Sequence, residues 1–173
     1  MNWKQVLPLI LVAPALALAQ GKGPSDPQIA GIVVTANQID IDAGKIAKSK
    51  SKNKEVKDFA QQMITDHNAV NQQAGALAKK LGVTPEDSET SNSLKKGAAD
   101  NIASLKTLKG AQFDKAYVEH EVAYHQAVLD AIDKLLVPSA QNAELKGLII
   151  KVRPAIATHL DHAKHIRASL GKK

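Results

Sequence analysis

From residue 28 onward the apolar positions recur every three or four residues, the period of helices that each bury one stripe. The first helix is expected over 28–49, with Ile29, Ile32, Val33, Ala36, Ala43 and Ala47 on its stripe. Asn53 is a suitable N-cap for a second helix running to Leu81, with stripe Val56, Phe59, Ala60, Met63, Val70, Ala74, Leu77 and Leu81. Gly82 and Pro85 end it. A weaker helix covers 90–108 and stops at Gly110. The fourth runs over 111–136, with Tyr117, Val128, Ile132 and Leu135 facing inward. "VPSAQN" at 137–142 reads as a tight turn, and the last helix spans 143–170. Its stripe is Leu145, Leu148, Ile149, Val152, Ile156, Ala163, Ile166 and Leu170. Pro154 inside that span predicts either a kink or the first residue of a separate final helix, and the second reading is preferred. The whole is an all-α, up-down four-helix bundle with one short extra helix in the crossover between helices 2 and 4.

Composition agrees with this fold class. Aromatic residues are only 3% of the 173, and the apolar 44% is mostly Ala, Leu, Ile and Val, a mixture suited to packed helices rather than a β-sandwich. The length suits a single domain, expected over 28–170. Residues 1–19 read as a secretory signal peptide: a short basic start, the apolar run "VLPLILVAPALALA", and an Ala17-Leu18-Ala19 cleavage site. Residues 20–27, "QGKGPSDP", read as a flexible leader. The expectation is an exported protein of the bacterial periplasm. The chain has no cysteine, which excludes disulfides, a lipobox and thiolate metal chemistry.

The formal charge of +6 would fall to +5 on cleavage, because only Lys4 is lost. A nucleic-acid partner is not expected, since no aromatic residues interleave with the lysines. The richest basic run, "KSKSKNKEVK" at 48–57, reads first as a solvated turn. Its sharper reading is a weak contact with an anionic envelope surface. Nothing in the sequence names a protein partner or an oligomeric state.

Candidate chemistry comes from polar residues on the apolar stripes. A helix advances about 100° per residue. On that wheel His67 falls within the stripe of helix 2 with Asp66 on its flank, Glu121 and His125 within that of helix 4, His159 within that of the last helix, and Asp40 within that of helix 1. His120 points sideways, His162 lies at the shoulder, and His165 falls outside. Folding the helices back on one another brings the five inward residues to similar depth. Buried ionisable groups are costly unless paired or bound to metal. Three readings stand: a divalent metal site formed by Asp40, His67, Glu121, His125 and His159, a metal-free hydrogen-bonded network that fixes the bundle's register, or a small-molecule pocket. Zinc, copper(II), manganese and iron all suit the ligand types, whereas a copper(I) thioether site is disfavoured because Met63 is the one methionine left after cleavage.

The segments "DIDAGKIA" (40–47), "FAQQMITDHNAVN" (59–71), "GAQFDKAYVEHEVAYHQAVL" (110–129) and "RPAIATHL" (153–160) resemble the domain-of-unknown-function 4142 family of exported bacterial proteins. Its members are often labelled predicted outer membrane proteins. The most specific marks are the Asp66-His67 pair and Gly110, Phe113, Asp114 and Tyr117. The resemblance implies a ferritin-like helical bundle. It places the family's histidines on His67, His125 and His159. Its helix 1 acid, usually Glu, is Asp40 here, and its helix 4 Gln is Glu121. It supplies no activity. Di-iron bundles carry Glu-x-x-His pairs, but Ile64, Val122 and Ile156 precede the three histidines by three residues, which argues against ferroxidase chemistry. With no paired nucleophile and base and no phosphate loop, an enzyme is the weakest reading, and a non-catalytic metal-holding or structural envelope protein the stronger one.

Overall fold

The computed structural model describes residues 23–172. The expected signal peptide and residues 20–22 of the leader lie outside the described residues. Five helices follow: α1 (Asp26–Lys50), α2 (Lys54–Leu81), α3 (Glu89–Thr107), α4 (Gly110–Ala131) and α5 (Ala143–Leu170). Between α4 and α5 the chain makes a π-helical turn, Ile132–Leu136, and one more helical turn, Val137–Ser139. Among the described residues there is no strand.

Local chemistry sets the helix ends. Ser25 caps α1: its hydroxyl accepts from Gln28 N, and the Gln28 side chain accepts in return from Ser25 N. The leader is therefore shorter than expected, because Asp26 and Pro27 already belong to the helix. Asn53 caps α2 by accepting from Glu55 N and Val56 N, and Asn142 does the same for Glu144 N and Leu145 N in α5. Gly82 ends α2 with φ 63°, a left-handed conformation that a side chain would strain.

Two of the expected boundaries are corrected. "VPSAQN" is not a turn throughout, because helix persists to Ser139 and only 140–142 reverse the chain. Pro138 has no N–H, and its ring crowds the carbonyl four residues back. The preceding turn widens in response, with Val137 N–H donating to Ile132 O, five residues back. Pro154 does not begin a separate helix either. It sits inside α5, which is continuous. Pro154 and Ile150 are both exposed, so the Ile150 carbonyl that loses its partner lies on the solvent side and can be hydrated.

Packing makes two antiparallel hairpins, α1 with α2 and α4 with α5, which face each other; α3 lies against α1. Asp26 at the start of α1 accepts from Gln141 N and Asn142 N at the start of α5, so these two helices run parallel. The Lys50 ammonium donates to Leu105 O and Lys106 O, which puts the end of α1 beside the end of α3. Thus α3 carries the chain back along the bundle before α4 begins. The crossover loop lies so close to α1 that a Cβ at Gly31 would meet Glu86 O at 2.0 Å. The core is built from Ile29, Phe59, Met63, Phe113, Tyr117, Ile149 and Ile166 among others. Phe113 stacks on Tyr117, and Phe59 meets Tyr117 edge-on.

Candidate metal centre

Each long helix of the bundle sends a polar side chain into the centre: Asp40 from α1, His67 from α2, Glu121 and His125 from α4, and His159 from α5. All five are buried, Glu121 and His125 completely. Glu121 and His125 are one helical turn apart and share a face. The three imidazoles form a nearly equilateral triangle, with ring centroids 5.7 Å (His67–His125), 5.3 Å (His67–His159) and 5.5 Å (His125–His159) apart. One ring nitrogen from each lies within 4.8 Å of the other two, and ligand atoms of Asp40, Glu121 and His125 satisfy the same limit. The five residues picked from the helical wheel are thus brought together. His165 is exposed and takes no part, and His162 is half-buried with Nδ1 against Gln62 Oε1. His120 is also half-buried and stacks on Tyr124.

Hydrogen bonds fix the tautomer of each ring. His67 Nδ1 lies 2.7 Å from Asn37 Oδ1; because the Asn37 amide nitrogen donates to Val33 O, the oxygen must accept and the ring must donate. His125 Nδ1 donates to the Glu121 carbonyl at 3.0 Å. His159 Nε2 donates to the Asp66 carboxylate at 2.9 Å. The opposite nitrogens, His67 Nε2, His125 Nε2 and His159 Nδ1, are buried and have no hydrogen-bond partner. Each therefore presents a lone pair to the interior. Asp40 Oδ1 and both Glu121 carboxyl oxygens are likewise buried without a well-aligned hydrogen bond, although the two carboxyl groups lie close enough to share a proton, the Tyr117 hydroxyl faces Glu121, and Asp40 Oδ2 stands 3.4 Å from His67 Nε2. Native cores leave few such atoms, so six of them on five side chains within one centre call for an explanation.

Electrostatics follow from burial. Desolvation, then the charges of His125 and His159, push the His67 pKa down to about 3. Burial likewise takes His125 down to about 4, against the opposing hydrogen bond to the Glu121 carbonyl. His159 is lowered by burial, with Asp66 opposing. Burial raises Asp40 to about 8, and burial plus the nearby Asp40 charge holds Glu121 well above the ordinary carboxylate range. At neutral pH the centre holds three neutral imidazoles and a carboxyl pair that retains protons. Three such nitrogen donors beside two carboxyl groups suit a transition-metal cation.

The raised carboxyl value has a testable sign. Native Asp40 keeps a proton up to about pH 8 that an unfolded Asp, with its ordinary value of 3.8, has already released. Folding stability therefore falls as pH rises between those values. The histidines act oppositely, and only below about 6.5, where the unfolded chain takes up protons that the native centre refuses. From pH 7 to pH 8 the carboxyl effect dominates, and because Glu121 also keeps a proton above the ordinary carboxylate range, the metal-free protein should lose at least about 1 kcal/mol. Urea titrations in chelator should show that loss, and Asp40→Asn should reduce it without removing it, because burial still holds Glu121 above the ordinary carboxylate range. An equal loss in the variant would contradict the assignment.

Two orienting residues were not picked out from sequence as part of the site. Asp66 was placed only on the flank of α2, and Asn37 was not singled out. Asn37 lies one turn before Asp40 on α1, and its spacing was the one available signal.

The sequence matches the family described as "Domain of unknown function (DUF4142)" over residues 12–166. The chain belongs to the DUF4142 family. No curated protein matches it in sequence. A solved structure with a similar fold is CopM in the Cu(II)-bound form, with a TM-score of 0.64 and 13% identity over 85% of this chain and 98% of that one. At that identity the likeness concerns the fold. Among the described residues, no helix of this DUF4142 protein is long and apolar enough to cross a membrane.

Proposed function

We propose that this DUF4142 protein holds one divalent transition-metal ion at the centre of the bundle, and so stores, buffers or senses it. The ligands are His67 Nε2, His125 Nε2 and His159 Nδ1, completed by a carboxyl oxygen of Asp40 or Glu121. One observation carries the reading: each ring commits one nitrogen to a protein acceptor and leaves the other buried and unpartnered. That is how metal-ligating imidazoles are oriented, with the second nitrogen held by a carboxylate, carbonyl or amide. The nitrogen-rich donor set favours Cu(II) or Zn(II) over manganese, with iron between them. CopM, of similar fold, was solved in a Cu(II)-bound form, which supports the same class of ion here. The export signature of residues 1–19 makes the periplasm the proposed compartment.

The test is metal content of the mature protein by mass spectrometry, followed by thermal melts with Cu(II), Zn(II), Mn(II) and Fe(II). One ion per chain and a clear stabilisation are expected; an ion at 100 times its dissociation constant adds about 2.7 kcal/mol. Protein that takes up no ion and is stabilised by none would leave the buried groups as a metal-free polar network.

Asp66 supplies a second check. It is part-exposed and outside the ligand set, yet it holds the His159 tautomer. Asp66→Ala should weaken metal affinity about 10- to 100-fold while leaving the stoichiometry at one. Competition with a chromophoric chelator measures this, and unchanged affinity would mean that the His159–Asp66 bond does not orient the ligand.

A further inference from the structure

We infer a second binding site beside the metal centre: an apolar pocket of about 130 Å³ that takes a small uncharged molecule, a monocyclic aromatic or a hydrocarbon of similar size. Its walls come from every helix, with Ile32, Val70, Leu94, Val128, Ile132 and Val152 among them. No carboxylate, ammonium or guanidinium lines it. Its polar lining residues are Asn37, Thr90 and Tyr124. Asn37 is already committed to Val33 O and His67, and the Tyr124 hydroxyl donates to Ala36 O. A ligand therefore meets a surface that does not reward charge and offers the Thr90 hydroxyl as its one uncommitted polar side chain. The pocket is partly open at the exposed Ala127, and its size is close to that of an apolar cavity of roughly 150 Å³ that accommodates benzene or xenon.

Two features mark the pocket as built into the fold. Ala36 and Ala131 line it with the small side chains that leave the space open. Ile132 and Leu136, the two ends of the π-helical turn, also line it, and such turns recur at functional sites. The pocket and the metal centre share a wall, because the Asn37 that lines the one orients His67 in the other. The inference does not rest on metal binding, since the pocket is bounded by apolar residues whatever occupies the histidines.

The test uses metal-free mature protein in chelator, so that failure of the metal reading leaves it intact. Benzene should raise the melting temperature saturably. In methyl NMR of the unaltered protein, benzene or xenon should move Val70, Val128 and Val152 and spare Leu105 and Ile166, which lie outside the pocket. Ala131→Phe and Val152→Phe, entering from two different helices, should each reduce or abolish the benzene effect. Absence of saturable binding by both probes would overturn the inference. So would methyl shifts centred away from the pocket, or a benzene effect unchanged in both filled variants. The NMR result decides even if a filled variant fails to fold.

Discussion

His125→Ala is expected to abolish stoichiometric metal binding, with affinity falling by more than about a hundredfold. The argument is geometric. His125 stands in both groups of converging ligand atoms, the three-histidine set and the set with Asp40 and Glu121. It is wholly buried, so solvent cannot supply the missing donor without opening the core. Loss of an orienting partner alone costs 10- to 100-fold in metal sites, and loss of a central ligand should exceed that. His159→Ala should behave alike. His165→Ala should bind as the parent does, because that ring is exposed and remote from the centre. Metal content and chelator competition on the three variants decide the matter. Retention of one tightly held ion in both core variants would defeat the proposed site.

Replacing the two central carboxyl groups together should separate a site that serves binding from one that serves the fold. Asp40→Leu with Glu121→Met retains approximate volume and removes the most costly buried polar groups. Exchange of buried ionic groups for packed apolar ones is often neutral or stabilising by about 1–4 kcal/mol. We expect the metal-free double variant to gain stability in that range and to bind metal more weakly. Urea unfolding and metal competition on the same samples test both halves. A less stable, less cooperative variant would mean that the carboxyl pair sets the bundle's register, the role expected of a metal-free network. The expected gain matters because a chain that keeps destabilising groups in its core without structural benefit has another use for them.

These expectations rest unequally on sequence and on structure. The helical period alone identified Asp40, His67, Glu121, His125 and His159 as inward-facing, because the angle of a residue on a helix follows from its number. Asn53 and Gly82 at the two ends of α2 were also legible, since capping is a contact between near neighbours in the chain, whereas the Ser25 cap was hidden in what reads as a leader. Pro154 was harder to place. A proline is tolerated inside a helix more readily where the freed carbonyl can be hydrated, and whether Ile150 faces solvent depends on what packs around α5.

What sequence could not supply was axial offset and the identity of partners on other helices. Angular position says that His67 and His159 face inward, but not that their rings stand 5.3 Å apart. That distance depends on how side chains interlock along the interface between α2 and α5. The choice of which nitrogen carries the proton was similarly invisible, for it is made by Asn37 from α1 and Asp66 from α2, reached across the bundle. The π-helical turn and the pocket it lines are likewise products of packing. The sequence by itself determined five helices, the caps of α2 and the buried faces, because those follow from interactions within a few residues. Only the tertiary structure decided that three lone pairs and two carboxyl groups share one centre, because contacts between helices depend on the packing of the whole core.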